Sequence, residues 1–175
     1  METSSLLQKL DKTPFPEFET EGVNLTYARE MLDNMGGIVS EMSAVALYFY
    51  NHLITHDQQE IAEIFEVISI EEMRHLEVFG ELALDLGEDP KLLGVYRHAK
   101  YWWSPSYNKY PIRLNALLRN AADGERAAIA KYTRQYESIT DKGVRIALER
   151  IIEDEKRHLE IFELLYRKYV TPTQS

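Results

Sequence analysis

Glutamate and histidine spaced three apart stand one above the other on a helix, where an oxygen and an imidazole nitrogen can grip the same cation. The chain carries this pair twice, as Glu72 with His75 and as Glu155 with His158. Both lie inside a twelve-residue pattern, ISIEEMRHLEVF at 68–79 and IIEDEKRHLEIF at 151–162. A lone glutamate precedes each copy at nearly equal distance: Glu41 lies 31 residues before Glu72, and Glu125 lies 30 before Glu155. Four carboxylates and two imidazoles with internal symmetry point to a site for two metal ions.

Four long helical patterns would have to position them. The first is expected from about Asn24 to His56. The second follows Asp57, where Asp57 to Glu60 reads as a capping box, and runs to Leu86-Gly87. The third starts near Pro111 and ends near Ile139, and the fourth spans Asp141 to Tyr169, with Thr171-Pro172 as its stop. Short links within the first and last pairs make antiparallel neighbours, and residues 88–110 are long enough to run back along the bundle. The expected architecture is an all-α four-helix bundle over residues 23–175, two helix hairpins joined by one crossover, preceded by an arm at 1–22. Pro14 and Pro16 break any helix in the arm, while Phe15 and Phe18 would pin it to the body. Asp89-Pro90 would start a short helix in the crossover. The crossover aromatics, Tyr96, Tyr101, Trp102, Trp103, Tyr107 and Tyr110, read first as packing against the bundle or a partner subunit, with substrate gating as the alternative.

Helical phase decides where the acidic groups face. The seam of the second helix reads Ile61, Phe65, Ile68, Glu72, His75, Phe79, Leu82, and that of the fourth reads Val144, Leu148, Ile151, Glu155, His158, Phe162, Leu165. Glu and His therefore point into the core. Glu41 sits between Ile38 and Val45, and Glu125 between Ala122 and Ile129. Bare buried carboxylates cost several kcal/mol or protonate. Two divalent cations balance four of them, and neutral histidines complete the shells. Such ligands suit iron or manganese and tolerate zinc. A polar, hydrogen-bonded core without metal is the competing reading. His52, His56 and His98 have no partner at ligand spacing and read as structural or surface residues.

Composition narrows the partners. A net charge of −9 without a basic patch argues against nucleic acid. No apolar run approaches membrane-spanning length, and residues 1–12 lack a signal-peptide layout, so a cytoplasmic protein is expected. The chain has no cysteine, which excludes disulfides, thiolate zinc and iron–sulfur ligation within it.

Over residues 24–169 the arrangement resembles the ferritin-like carboxylate-bridged dimetal proteins, which include bacterioferritin and the rubrerythrins; the fold description of one Glu from each of two helices and Glu-x-x-His from the other two is theirs. The resemblance implies that Glu72 and Glu155 bridge two metals, that Glu41 and His75 complete one shell, and that Glu125 and His158 complete the other. It also implies that Glu71 and Asp154 accept the free ring N–H of the opposite histidine, surface charge being the alternative. Tyr48 and Tyr132 would hydrogen-bond ligands or relay electrons, or simply pack. Met73 occupies the position of bacterioferritin's haem-ligating methionine, but one methionine is weak evidence, and an apolar contact without haem is expected.

The departures also matter. Rubrerythrins carry an extra glutamate where this chain has Ala128, and the cysteines of a rubredoxin domain are missing. Only five residues follow Val170, too few for the fifth helix of storage ferritins, so no 24-subunit cage is implied. The resemblance implies a di-iron redox protein that oxidises ferrous iron or reduces hydrogen peroxide or dioxygen, fed by an unknown electron donor, in a homodimer. A di-manganese, catalase-like centre and a non-catalytic iron-binding protein are the alternatives.

Overall fold

The structure, a computed structural model, describes residues 3–10 and 13–171. Its helices are α1 (Thr3–Leu7), α2 (Leu25–Gly36), α3 (Glu41–Ile54), α4 (Gln59–Asp85), α5 (Leu114–Ser138) and α6 (Lys142–Tyr169). Strands β1 (Leu93–Tyr96) and β2 (Ala99–Trp102) form an antiparallel ribbon in the crossover. Helices α3 with α4, and α5 with α6, are the most intimate neighbours, which makes two hairpins of a four-helix bundle.

The expected first helix is broken in two. Gly36 ends α2, and a Cβ there would lie 2.7 Å from the backbone of Leu92 and Leu93. The crossover therefore presses its ribbon directly onto the glycine, and Asp33 Oδ1 accepts from Val95 N at 2.9 Å. The chain turns through residues 37–40 and restarts at Ser40, whose hydroxyl caps α3 by accepting from Ser43 N at 3.4 Å. Ile38, expected in the seam, stands 64% exposed in this break. Lys131 on α5 ties the break down, donating to Asp33 O at 3.0 Å and Val39 O at 2.8 Å.

Three other local expectations are corrected. No side chain caps α4: Gln58 holds the cap position, and Glu60 is drawn instead to Lys168 Nζ at 2.5 Å and to the Tyr169 hydroxyl. Helix α5 starts at Leu114, not Pro111, because Arg113 is still extended and Tyr110 is held back by Tyr50, ring centroids 4.9 Å apart. The crossover contains a β-ribbon where a short helix at Asp89-Pro90 was expected. Arg97 and His98 adopt positive φ in its two-residue turn, the geometry that matches strand twist. Of the crossover aromatics, Tyr96, Trp102 and Tyr110 remain exposed. Lys12 of the arm and the Pro172 stop lie outside the described residues.

Residues 13–24 cross the bundle in extended form. Phe15 and Phe18 pack, partly buried, against the core. A Cβ on Gly143 would lie 2.2 Å from Glu19 O, so glycine lets the arm pass directly over α6. Asp141 then does double duty, accepting from Glu21 N at 2.7 Å and capping α6 through Val144 N at 3.0 Å.

The interior has two apolar clusters. One gathers Met31, Phe79, Tyr132, Leu148 and Ile151, and the other Leu47, Tyr48, Phe65, Ile68 and Phe162. Between them lies a single polar layer. Among the described residues no helix is long and apolar enough to cross a membrane.

Candidate metal centre

The polar layer is built by four helices. Glu41 comes from the first turn of α3, Glu72 and His75 from α4, Glu125 from α5, and Glu155 and His158 from α6. All six are at most 2% exposed. They form two groups, Glu41, Glu72, His75, Glu155 and Glu72, Glu125, Glu155, His158, in each of which one ligand atom per residue lies within 4.8 Å of the rest. Glu72 and Glu155 belong to both groups, the placement that lets a carboxylate span two cations. Each seam residue above and below them on α4 and α6 is fully buried.

The histidines present Nδ1 to this layer. His75 Nδ1 lies 3.2 Å from Glu72 Oε2, 3.2 Å from Glu155 Oε1 and 3.9 Å from Glu41 Oε2. His158 Nδ1 lies 3.0 Å from Glu155 Oε2, 3.1 Å from Glu72 Oε1 and 3.9 Å from Glu125 Oε1. Their outer nitrogens meet acceptors across the bundle. His158 Nε2 is 2.8 Å from Glu71 Oε2, and His75 Nε2 is 3.5 Å from Asp154 Oδ2. Asp154 is itself held by Arg150 Nε at 2.8 Å and Arg157 Nη1 at 2.7 Å.

These contacts test whether a metal fits. A carboxylate at Nε2 draws the ring proton there, which leaves the Nδ1 lone pair of a neutral imidazole facing two carboxylate oxygens. Such a contact repels unless a cation lies between. At 4.8 Å and an effective dielectric of about 20, each like-charged carboxylate pair costs roughly 3–4 kcal/mol. Two divalent cations cancel the four negative charges and take up both lone pairs, so the donor set fits a pair of metals with oxygen and imidazole preference.

Without metal, protons must do this work. Burial, then Glu155 and Glu72, push the Glu41 carboxyl well above its ordinary range; burial, Glu155 and Glu72 do the same to Glu125. Burial opposes charge on the histidines. Even so, Glu155 beside His75 and Glu72 beside His158 raise both imidazoles well above their usual value. Burial and mutual repulsion work against charge on Glu72 and Glu155 too, but the two histidines hold both below the usual range.

The tyrosines cross the bundle. Tyr132 on α5 donates to Glu41 Oε1 on α3 at 2.5 Å, and Tyr48 on α3 donates to Glu125 Oε1 on α5. Each phenol thus holds the lone glutamate of the opposite hairpin. Burial, then the bonded glutamate, raises both phenols well above their usual range, so they stay protonated donors. Met73 points away, 46% exposed on α4. His52 Nδ1 meets Ala62 O at 2.9 Å, and His56 Nδ1 meets Leu53 O at 3.2 Å, both outside the layer.

A cavity of about 100 Å³ adjoins the layer on the side of Glu41 and Glu125. Its inner wall holds Glu72, Glu155, Tyr48 and Tyr132, and its outer wall includes Ile38, Gly124 and Asn108. Sequence reasoning missed Ser43 and Asn108 there, and also Phe15, whose ring meets His75 edge-on at 6.1 Å. Only the double glycine 36–37 hinted at the break that forms part of this wall.

Fold and layer together define a ferritin-like carboxylate protein. The rubrerythrin family profile matches residues 35–166, and the chain belongs to that family. A bacterioferritin from Desulfovibrio desulfuricans is 28% identical over 128 residues, covering 70% of this chain and 66% of the relative's length. The structure of a Desulfovibrio desulfuricans bacterioferritin, described with a di-iron site in different catalytic states, superposes with TM-score 0.66 at 25% identity, over 83% of this chain and 82% of that one. KatB, a manganese catalase from Anabaena, superposes with TM-score 0.81 at 22% identity, over 94% of this chain and 83% of that one, a likeness of fold. Family and cluster make this a dinuclear metal-binding carboxylate and histidine site.

Proposed function

We propose that the chain is a di-iron oxidoreductase acting on hydrogen peroxide or dioxygen. Glu41 and His75 would hold one metal, Glu125 and His158 the other, with Glu72 and Glu155 bridging. The observation that carries this reading is the pair of buried Nδ1 atoms, each facing carboxylate oxygens of both bridging positions, beside a cavity of about 100 Å³. A space of that size admits hydrogen peroxide or dioxygen and leaves no room for a large organic substrate.

A ferrous pair supplies two electrons, which with two protons convert hydrogen peroxide to two waters. The chain's own residues set the conditions. Glu71 and Asp154 keep the proton on Nε2 and so keep Nδ1 a ligand. Tyr48 and Tyr132 orient the terminal carboxylates, and the apolar clusters above and below keep bulk water out. A second reading, manganese with disproportionation of peroxide, is supported by the fold likeness to the manganese catalase. We further read the outer face of α3, where Phe49 and Leu53 are 58% and 51% exposed on a stretch, 42–55, without Asp, Glu, Lys or Arg, as the contact of a homodimer.

Metal analysis of protein purified from its native host, followed by stopped-flow mixing of the metal-free chain with ferrous iron and oxidant, tests the proposal. Fast oxidation with two irons per chain supports it. Oxygen evolution from peroxide without reductant supports manganese. Neither response would leave a metal-binding protein without turnover and overturn both readings.

A further inference from the structure

The four long helices do not close the metal cavity by themselves. The backbones of α3 and α5 stand apart, bridged at the inner end by the Tyr132–Glu41 and Tyr48–Glu125 bonds, and Ala44, Gly124 and Ala128, which line the gap, are small. Gly124 and Ile38 at the outer end are exposed, while the glutamates and tyrosines at the inner end are buried, so the cavity runs from the surface to the cluster.

The crossover reaches into this gap with Asn108. Asn108 Nδ2 donates to Ser43 O at 2.9 Å, and Trp103 Nε1 donates to Ser43 Oγ at 3.0 Å. Ser43 lies on the first turn of α3, two residues from Glu41, and its hydroxyl reaches Gly37 O at 3.4 Å. One serine therefore anchors the crossover to the helix break at the mouth. The side-chain carbonyl of Asn108 accepts no hydrogen bond among the described residues.

We propose that Asn108 is the specificity-determining residue of the oxidant path. It narrows the mouth to molecules the size of hydrogen peroxide or dioxygen, and its Oδ1 accepts a hydrogen bond from an entering peroxide O–H. The crossover is then a working part of the site as well as a connector. This inference rests on the reading of the cluster as an oxidant-reducing dimetal centre.

The test uses the metal-loaded full chain and two variants, Asn108→Ala to widen the mouth and Ala128→Leu to fill it. Three quantities are read: metal content, the rate of azide binding followed by the visible spectrum, and kcat and KM with hydrogen peroxide and tert-butyl hydroperoxide. Asn108→Ala should keep two metals per chain, bind azide faster, and raise kcat/KM for the bulky peroxide relative to hydrogen peroxide by about tenfold, the scale of one small group in a pocket. Ala128→Leu should slow azide binding by about tenfold and lower kcat/KM for hydrogen peroxide through KM. An unchanged azide rate in either variant, an unchanged peroxide ratio in Asn108→Ala, or loss of metal from Asn108→Ala would overturn the proposal. A wild-type chain that turns over neither peroxide would sink the redox reading, while the azide rates would still decide whether Asn108 guards the mouth.

Discussion

Replacing Tyr132 by Phe removes one hydroxyl and little else. The ring keeps its place against Phe79, centroids 5.2 Å apart, in a fully buried position. What is lost is the bond to Glu41 Oε1 at 2.5 Å. In the metal-free chain, burial and the neighbouring glutamates favour the protonated form of Glu41, and with that form the bond joins neutral groups and contributes about 1 kcal/mol. With metal bound Glu41 is a carboxylate, and a hydrogen bond to a charged group contributes roughly 2–3 kcal/mol. The difference, about 1–2 kcal/mol, is what metal binding forfeits, roughly a 5- to 30-fold loss of affinity on the Glu41 side. Tyr48→Phe should do the same on the Glu125 side, because the two bonds are related by the internal repeat. Competition against a chromophoric chelator reads the affinities, and urea unfolding of the metal-free variants reads the smaller stability loss. Two metals bound with unchanged affinity in Tyr132→Phe would refute the argument that these phenols hold the terminal ligands.

The double variant Glu72→Ala/Glu155→Ala should bind no metal pair, since both groups lose two of their four members; unchanged metal content by elemental analysis would refute the bridging assignment. Metal uptake should release protons and strengthen as pH rises from about 6 to about 8. The sign follows from His75, His158, Glu41 and Glu125, all of which hold their protons more tightly than usual in the metal-free chain, so that metal must displace protons there; a pH-stat titration without proton release would contradict it. Asp154→Asn should weaken metal binding by about 10–100-fold, because Asn can no longer accept as a charged partner of His75. Gly143→Ala places a Cβ 2.2 Å from Glu19 O and should cost about 1–3 kcal/mol, loosening the arm. Proteolysis at residues 13–22 that is no faster than in the wild type would show that the arm does not depend on this contact.

The bundle was legible because the evidence for it is periodic and local. Seven seam residues on α4 and seven on α6 keep one phase, and all fourteen are buried. The layer of glutamates and histidines was legible for the same reason, since a polar residue in an apolar seam has only one direction to face. The break at residues 37–40 was not. Apart from Gly36-Gly37, Asn24 to His56 has helical character throughout, and it is the contact between Gly36 and a ribbon more than fifty residues away that calls for the turn. Glu60 illustrates the same limit, because its capping role was overruled by Lys168 and Tyr169 at the far end of the chain.

The sequence by itself determined which six side chains share one level of the core and how they pair by symmetry, because helical phase is a property of neighbouring residues. Tertiary structure alone decided which carboxylate meets which imidazole, that Tyr48 and Tyr132 cross to the opposite hairpin, and that Ser43 and Asn108 frame the way in. Those facts depend on how far apart whole helices stand and where the crossover lands. Such distances arise from the closure of the entire bundle and leave no periodic trace along the chain.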